Sequence, residues 1–109
     1  ITMEVSILGQ IYTIIERKRA DDPKLEFSDG YCETQSKKII ICDIIPEKDT
    51  LEKVVEYKKQ VIRHEIIHAF LFESGLDDNS PWARNEEIVD WIAIQAIKLL
   101  RAFSFADCL

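Results

Sequence analysis

Long apolar runs, paired cysteines, glycine, proline and positive charge are all scarce in this chain, and each shortage removes a class of protein. Its hydrophobic stretches are broken by charge well short of the roughly 20 residues that a membrane span requires, and no charged-then-apolar leader opens the sequence. Membrane insertion and secretion are therefore not expected. With three Gly and three Pro in 109 residues, 47% hydrophobic and 31% charged, the composition is that of a compact fold and not of a disordered or repetitive chain. Lys and Arg number 14 against 20 Asp and Glu, for a net charge of −6. Phosphate backbones are bound by clustered Lys and Arg, and Arg17, Lys18 and Arg19 are too few, so no nucleic-acid partner is expected. Cys32, Cys42 and Cys108 are odd in number and form no C-x-x-C spacing. That excludes a disulfide framework and a thiolate zinc knuckle, and free thiols point to the cytoplasm. The one arrangement left open sets Cys32 and Cys42 opposite each other across a hairpin.

What remains is enough for one domain, residues 1–109, burying roughly two-thirds of its unfolded surface. The first half reads as strands. "MEVSILGQIYTIIERK" alternates and is rich in Ile, Val, Tyr and Thr, with a break near Gly9 and Gln10, which predicts one or two antiparallel strands. "ADDPKLEFSDG" reads as a loop. "YCETQSKKIIICDI" predicts a short strand, a turn over Thr34–Lys37 and a buried strand over Ile39–Ile44 closed by Pro46. Helices follow. Asp49 with Glu52 resembles a capping box and Gly75 a C-terminal stop, predicting a helix of about 25 residues, nearly 40 Å long. Ser80 and Pro81 predict the start of a second helix running to Phe103. Strands first and helices after define an α+β fold, with a small antiparallel or mixed sheet followed by two helices.

Both histidines lie in "RHEIIHAF", residues 63–70. At i and i+4 on a helix, His64 and His68 project from one face about 6 Å apart and can share one cation, whereas Glu65 points about 100° away, toward a cation's water. Tyr57, Val61, His64, His68 and Leu71 form one stripe, and Ile62, Ile66, Ile67, Phe70 and Phe72 cover most of the rest. The helix is expected to be buried on several sides, where an imidazole must be hydrogen-bonded or metal-bound. Two structural histidines satisfied by hydrogen bonds are the plainer alternative.

A catalytic zinc takes three protein ligands and keeps an open position. The third is sought in "NEEIVD", residues 85–90. Glu87 shares the polar face with Arg84, Lys98 and Arg101, while Glu86 shares the margin of the apolar face with Asp90, Ala93 and Ile97. Glu86 is thus the expected ligand. Asp90, one turn on, is expected to accept the free N–H of a ligating histidine. A helix N-terminus that simply favours acids is the alternative for both. Trp82 and Trp91 are expected in core or cleft packing.

HEIIH followed after a short loop by N-E-x-x-x-D resembles the zinc signature of gluzincin metallopeptidases in its minimal form, the minigluzincins, and small HExxH proteins of phages and prophages. The resemblance is detailed only from His64 to about Ile97. It implies zinc held by His64, His68 and Glu86, Glu65 as general base and acid, Asp90 supporting a histidine, and a peptide or protein substrate laid along the strand Lys38–Asp43. It also implies a tyrosine or histidine beyond the glutamate helix to stabilise the oxyanion, and this chain has neither; Arg101, Tyr31, Tyr57 or zinc alone are the substitutes. Three readings follow: a zinc metallopeptidase acting as an endopeptidase on a protein or peptide, a zinc-bound binding or scaffold protein without catalysis, and a metal-free helical protein. The tail Phe103–Leu109 is mostly apolar and expected either to pack on the core or to cover the cleft.

Overall fold

The computed structural model of the chain describes residues 2–48 and 50–109. β1 (Thr2–Ile7) and β2 (Gln10–Arg17) pair antiparallel. Leu8 and Gly9 between them both have positive φ, 49° and 88°, the two-residue turn whose twist matches a hairpin. β3 (Gly30–Glu33) and β4 (Lys38–Cys42) form a second antiparallel hairpin. The hairpins join through a parallel β2–β4 seam, giving a mixed sheet of order β1-β2-β4-β3. The fold is therefore α+β, with a four-stranded mixed sheet ahead of the helices.

β4 is the buried strand expected from its run of isoleucines, and strand periodicity sorts them onto two faces. Ile39 and Ile41 pack with Ile7, Tyr12, Ile14, Val61 and Ala69 on the helix side. Ile40 and Cys42 pack with Leu25 on the other. The segment read as a loop carries two short three-ten turns, Arg19–Asp21, which begins one residue before it, and Pro23–Leu25, which bring the fully buried Leu25 under the sheet. Cys32 lies opposite Ile39, and its side chain joins the helix-side core, so Cys32 and Cys42 are on opposite faces and do not meet across the hairpin. All three cysteines are free.

α1 (Leu51–Glu73) crosses the sheet. It begins after Thr50, whose side chain makes no capping bond; the expected cap at Asp49 lies outside the described residues. Gly75, with φ 82°, ends this helical run as expected. The helix is less enclosed than its stripe implies: the sheet covers one flank, while Tyr57 and Phe70 stay 42% and 41% exposed.

α2 (Leu76–Asn79) and a three-ten turn, Pro81–Arg84, lead to α3 (Glu86–Phe105). The expectation that Ser80 and Pro81 start the long helix is corrected here. Pro81 opens only the three-ten turn, because Ala83 is drawn into a buried cluster with Leu71 and Val89 and the chain then extends at Asn85. Asn85 is the true cap, its side chain accepting from the Ile88 N–H at 3.0 Å. Trp82 and Trp91 are 46% and 57% exposed, not packed in the core. α3 absorbs the tail as far as Phe105, and residues 103–109 are exposed, so the tail neither packs on the core nor covers the cleft. No helix among the described residues is long and apolar enough to cross a membrane.

Candidate metal centre

Two anchors hold α3 against α1 at the histidines. One is the Leu71, Ala83 and Val89 cluster with Ile67 beside it. The other is Arg63, whose Nε donates to the Ala93 carbonyl at 2.6 Å. Because Asn85 caps α3, Glu86 is the first helical residue, and its carboxylate faces the last third of α1.

Four donor atoms converge there. His64 Nε2 lies 3.1 Å from His68 Nε2. Glu86 sets Oε2 2.9 Å from His64 Nε2 and Oε1 2.9 Å from His68 Nε2. Around a four-coordinate ion with bonds of about 2.0 to 2.1 Å, neighbouring donors lie roughly 3.3 Å apart, so this spacing is close to that of a metal's ligand set. Two neutral imidazoles aiming lone pairs at each other and at a carboxylate repel; a cation or a shared proton resolves that. The residues present therefore fit a divalent ion. His64 Nδ1 lies 3.0 Å from Asp90 Oδ1; donation from Nδ1–H to Asp90 leaves Nε2 unprotonated, as a ligand must be.

Glu65 is a different kind of carboxylate. It is 6% exposed, and one of its oxygens and the donor atoms of His64 and His68 all lie within 4.8 Å of one another, so it too stands within reach of an ion held by the two histidines. Burial, reinforced by the charge of Glu86 and opposed by that of His64, pushes its pKa up to about 7. Burial acts in the same direction on Glu86, but the charges and hydrogen bonds of His68 and His64 outweigh it and hold Glu86 below the usual carboxylate range. One acid stays ionised and the other is poised to exchange a proton near neutrality.

A groove runs along the site between α1 and β3. His64, Glu65, Ser28 and Gly30 line both of its hollows. The smaller, ≈ 180 Å³, adds Tyr57, Asp29 and Asp90; the larger, ≈ 530 Å³, adds Cys32, Thr34, His68, Phe72, Asp77 and Glu86. The bordering strand is β3, not the expected Lys38–Asp43. β4 is interior because it pairs with β2 on one side and β3 on the other.

Every sequence-derived site residue, His64, Glu65, His68, Glu86 and Asp90, comes together here, and Glu87 faces solvent. Ser28, Asp29 and Gly30 were missed as groove residues. Their signal, Ser-Asp-Gly directly before an aromatic strand, reads only as a turn. The oxyanion substitutes are all engaged or remote. Tyr57 donates to Asp29 and Tyr31 to Asp22, while Arg101 lies on the exposed outer half of α3. Comparison with protein-family models, curated proteins and solved structures finds no match to this chain.

Proposed function

We propose that the chain is a zinc metallopeptidase of gluzincin type with a minimal zincin-like fold, hydrolysing peptide bonds of a peptide or protein substrate. The observation that carries this reading is the convergence of the two imidazole Nε2 atoms, 3.1 Å apart, with one oxygen of Glu86 2.9 Å from each, beside the buried carboxyl group of Glu65. His64, His68 and Glu86 would hold the ion; zinc, when bound, supplies a Lewis acid and lowers the pKa of a coordinated water to about 7. Glu65, the buried carboxylate beside the two histidines, takes a proton and returns it to the leaving amine. Asp90 keeps the His64 proton on Nδ1. The free edge of β3 suits an extended peptide backbone, and the unpaired thiols suit a reducing, cytoplasmic setting.

A second reading, a zinc-bound binding or scaffold protein, is favoured by the engagement of Tyr57 and Tyr31 with other partners, which removes both tyrosines as oxyanion donors. Elemental analysis and peptide digestion separate the two. The peptidase reading expects one zinc per chain, lost in Glu86→Ala, kept in Glu87→Ala, and kept in Glu65→Gln with cleavage abolished. Zinc without cleavage by the wild type selects the scaffold; absence of zinc rejects both.

A further inference from the structure

The two backbone groups that each edge residue offers are not all free. Cys42 N–H donates to the Asp29 carbonyl at 2.8 Å, which makes Asp29 and Cys42 a hydrogen-bonded pair. In an antiparallel ladder such pairs alternate with non-bonded ones. With Gly30 opposite Ile41 and Cys32 opposite Ile39, it is Gly30 and Cys32 that turn their N–H and C=O away from β4, toward the groove. At Gly30 one hydroxyl already takes both. Ser28 Oγ donates to the Gly30 carbonyl at 2.6 Å and lies 3.4 Å from the Gly30 nitrogen. The hollow at that end is the smaller one, and Gly30 rests so near α1 that a methyl group there would lie 2.8 Å from Val61 Cγ1. For Cys32, beside the larger hollow, no partner among the described residues takes the outward backbone pair.

We propose that Ser28 ends the substrate-binding edge of β3, so that a peptide pairs with the backbone of Cys32, extends through the larger hollow and leaves only a short amino-terminal piece in the smaller one. The end is amino because the smaller hollow is lined by Asp29 and Asp90 and by no Lys or Arg; Arg19 and Tyr57 occupy the two oxygens of Asp29 and His64 one oxygen of Asp90, so the second oxygen of Asp90 is the one that meets an ammonium there. The substrate class is thus a peptide cut close to its free amino terminus, an assignment that rests on the metallopeptidase reading. Ser28 acts through Gly30 and is a positioning residue.

The test digests a defined set of peptides, with free or acetylated amino ends, using zinc-loaded wild type and Ser28→Ala, and identifies the products by mass spectrometry. Wild type is expected to release one or two residues from free amino ends and to act about tenfold more slowly on acetylated ones. In Ser28→Ala the Gly30 rung is open. One backbone hydrogen bond corresponds to about two- to tenfold in affinity, so KM falls by that factor for peptides reaching past the cut, kcat holds, and cleavage moves inward. Interior cleavage by wild type indifferent to acetylation, or an unchanged product pattern in Ser28→Ala, overturns the proposal. Zinc-loaded Glu65→Gln keeps the question separate from turnover. Added peptide should shift the Cys32 amide resonance and not that of Gly30, and with Ser28→Ala added it should shift both; peptide binding that moves neither amide also overturns it. The zinc content of wild type, measured alongside, reports independently on whether the metallopeptidase reading itself stands.

Discussion

Gly30 is where a single methyl group does most harm. Its backbone sits under Val61, and an added Cβ would stand 2.8 Å from Val61 Cγ1 and 3.1 Å from the Ile40 carbonyl oxygen. Gly30→Ala is expected to destabilise the fold by about 1 to 3 kcal/mol, the usual cost of overpacking. Adding Val61→Ala should recover part of that, read by urea denaturation in a double-mutant cycle. Asp22 carries a pH dependence. It is 6% exposed, and its carboxylate accepts from the Tyr31 hydroxyl, the Lys24 N–H and Arg17, which together hold its pKa below the usual carboxylate range against the opposing effect of burial. A depressed folded-state value adds stability that is full above the unfolded value near 4 and disappears as pH falls through the folded value. Asp22→Asn should therefore flatten the stability profile below about pH 4, measured by thermal melts across pH. At this scale the sequence was legible wherever one helix faced another. The wheel separated Glu86 from Glu87 because helical spacing alone decides which of two neighbours lies toward α1; Glu86 reaches both histidines from an exposed position, 70% open to solvent. Ser28 was not legible, since its role depends on strand parity, which exists only once β3 has chosen β4.

Among elements, the decisive one is the start of α3. Asn85 supplies its only side-chain cap among the described residues, and the next residue is Glu86. Asn85→Ala is expected to cost about 1 kcal/mol of stability and, by letting the first turn fray, to weaken zinc affinity while leaving stoichiometry at one. Titration against a competing chromophoric chelator measures both. Reading Pro81 as the helix start missed this boundary because proline at a first position marks three-ten and α turns alike, and only the burial of Ala83 distinguishes them here. The strand error has a similar origin. A run of four buried residues, Ile39–Cys42, announces an interior strand, yet nothing local says that β3 lies between it and the groove. The strands and the two long helices were legible, because period-two and period-3.6 patterns are properties of each segment alone; that the sheet is mixed and not antiparallel was left open, because the parallel pairing of β2 with β4 is a property of neither strand.

For the whole molecule, zinc should stabilise the fold by linkage. A ligand at 100 times its Kd adds about 2.7 kcal/mol, so removal by a chelator is expected to lower Tm by several degrees in wild type and by much less in Glu86→Ala, as calorimetry would show. The outer half of α3 bears Ile94, Ile97, Leu100 and Phe103, each at least 41% exposed. That half contributes little to the cores described above, and stability should reside mainly in the sheet, α1 and the first turns of α3.

The parallel β2–β4 seam also governs the order of events in time. Each hairpin closes locally, but the seam joins residues as distant as Thr13 and Lys38, and closing such loops is slow. The donors of the candidate metal centre belong to α1 and α3, with His64 and Glu86 separated by 22 positions, fewer than separate Thr13 from Lys38, and two helices need no finished sheet to meet. An ion that grips both therefore acts before the slow seam closes. In stopped-flow experiments zinc should raise the refolding arm of the chevron, so that the metal acts as a clasp that guides α3 onto α1 while the sheet is still incomplete.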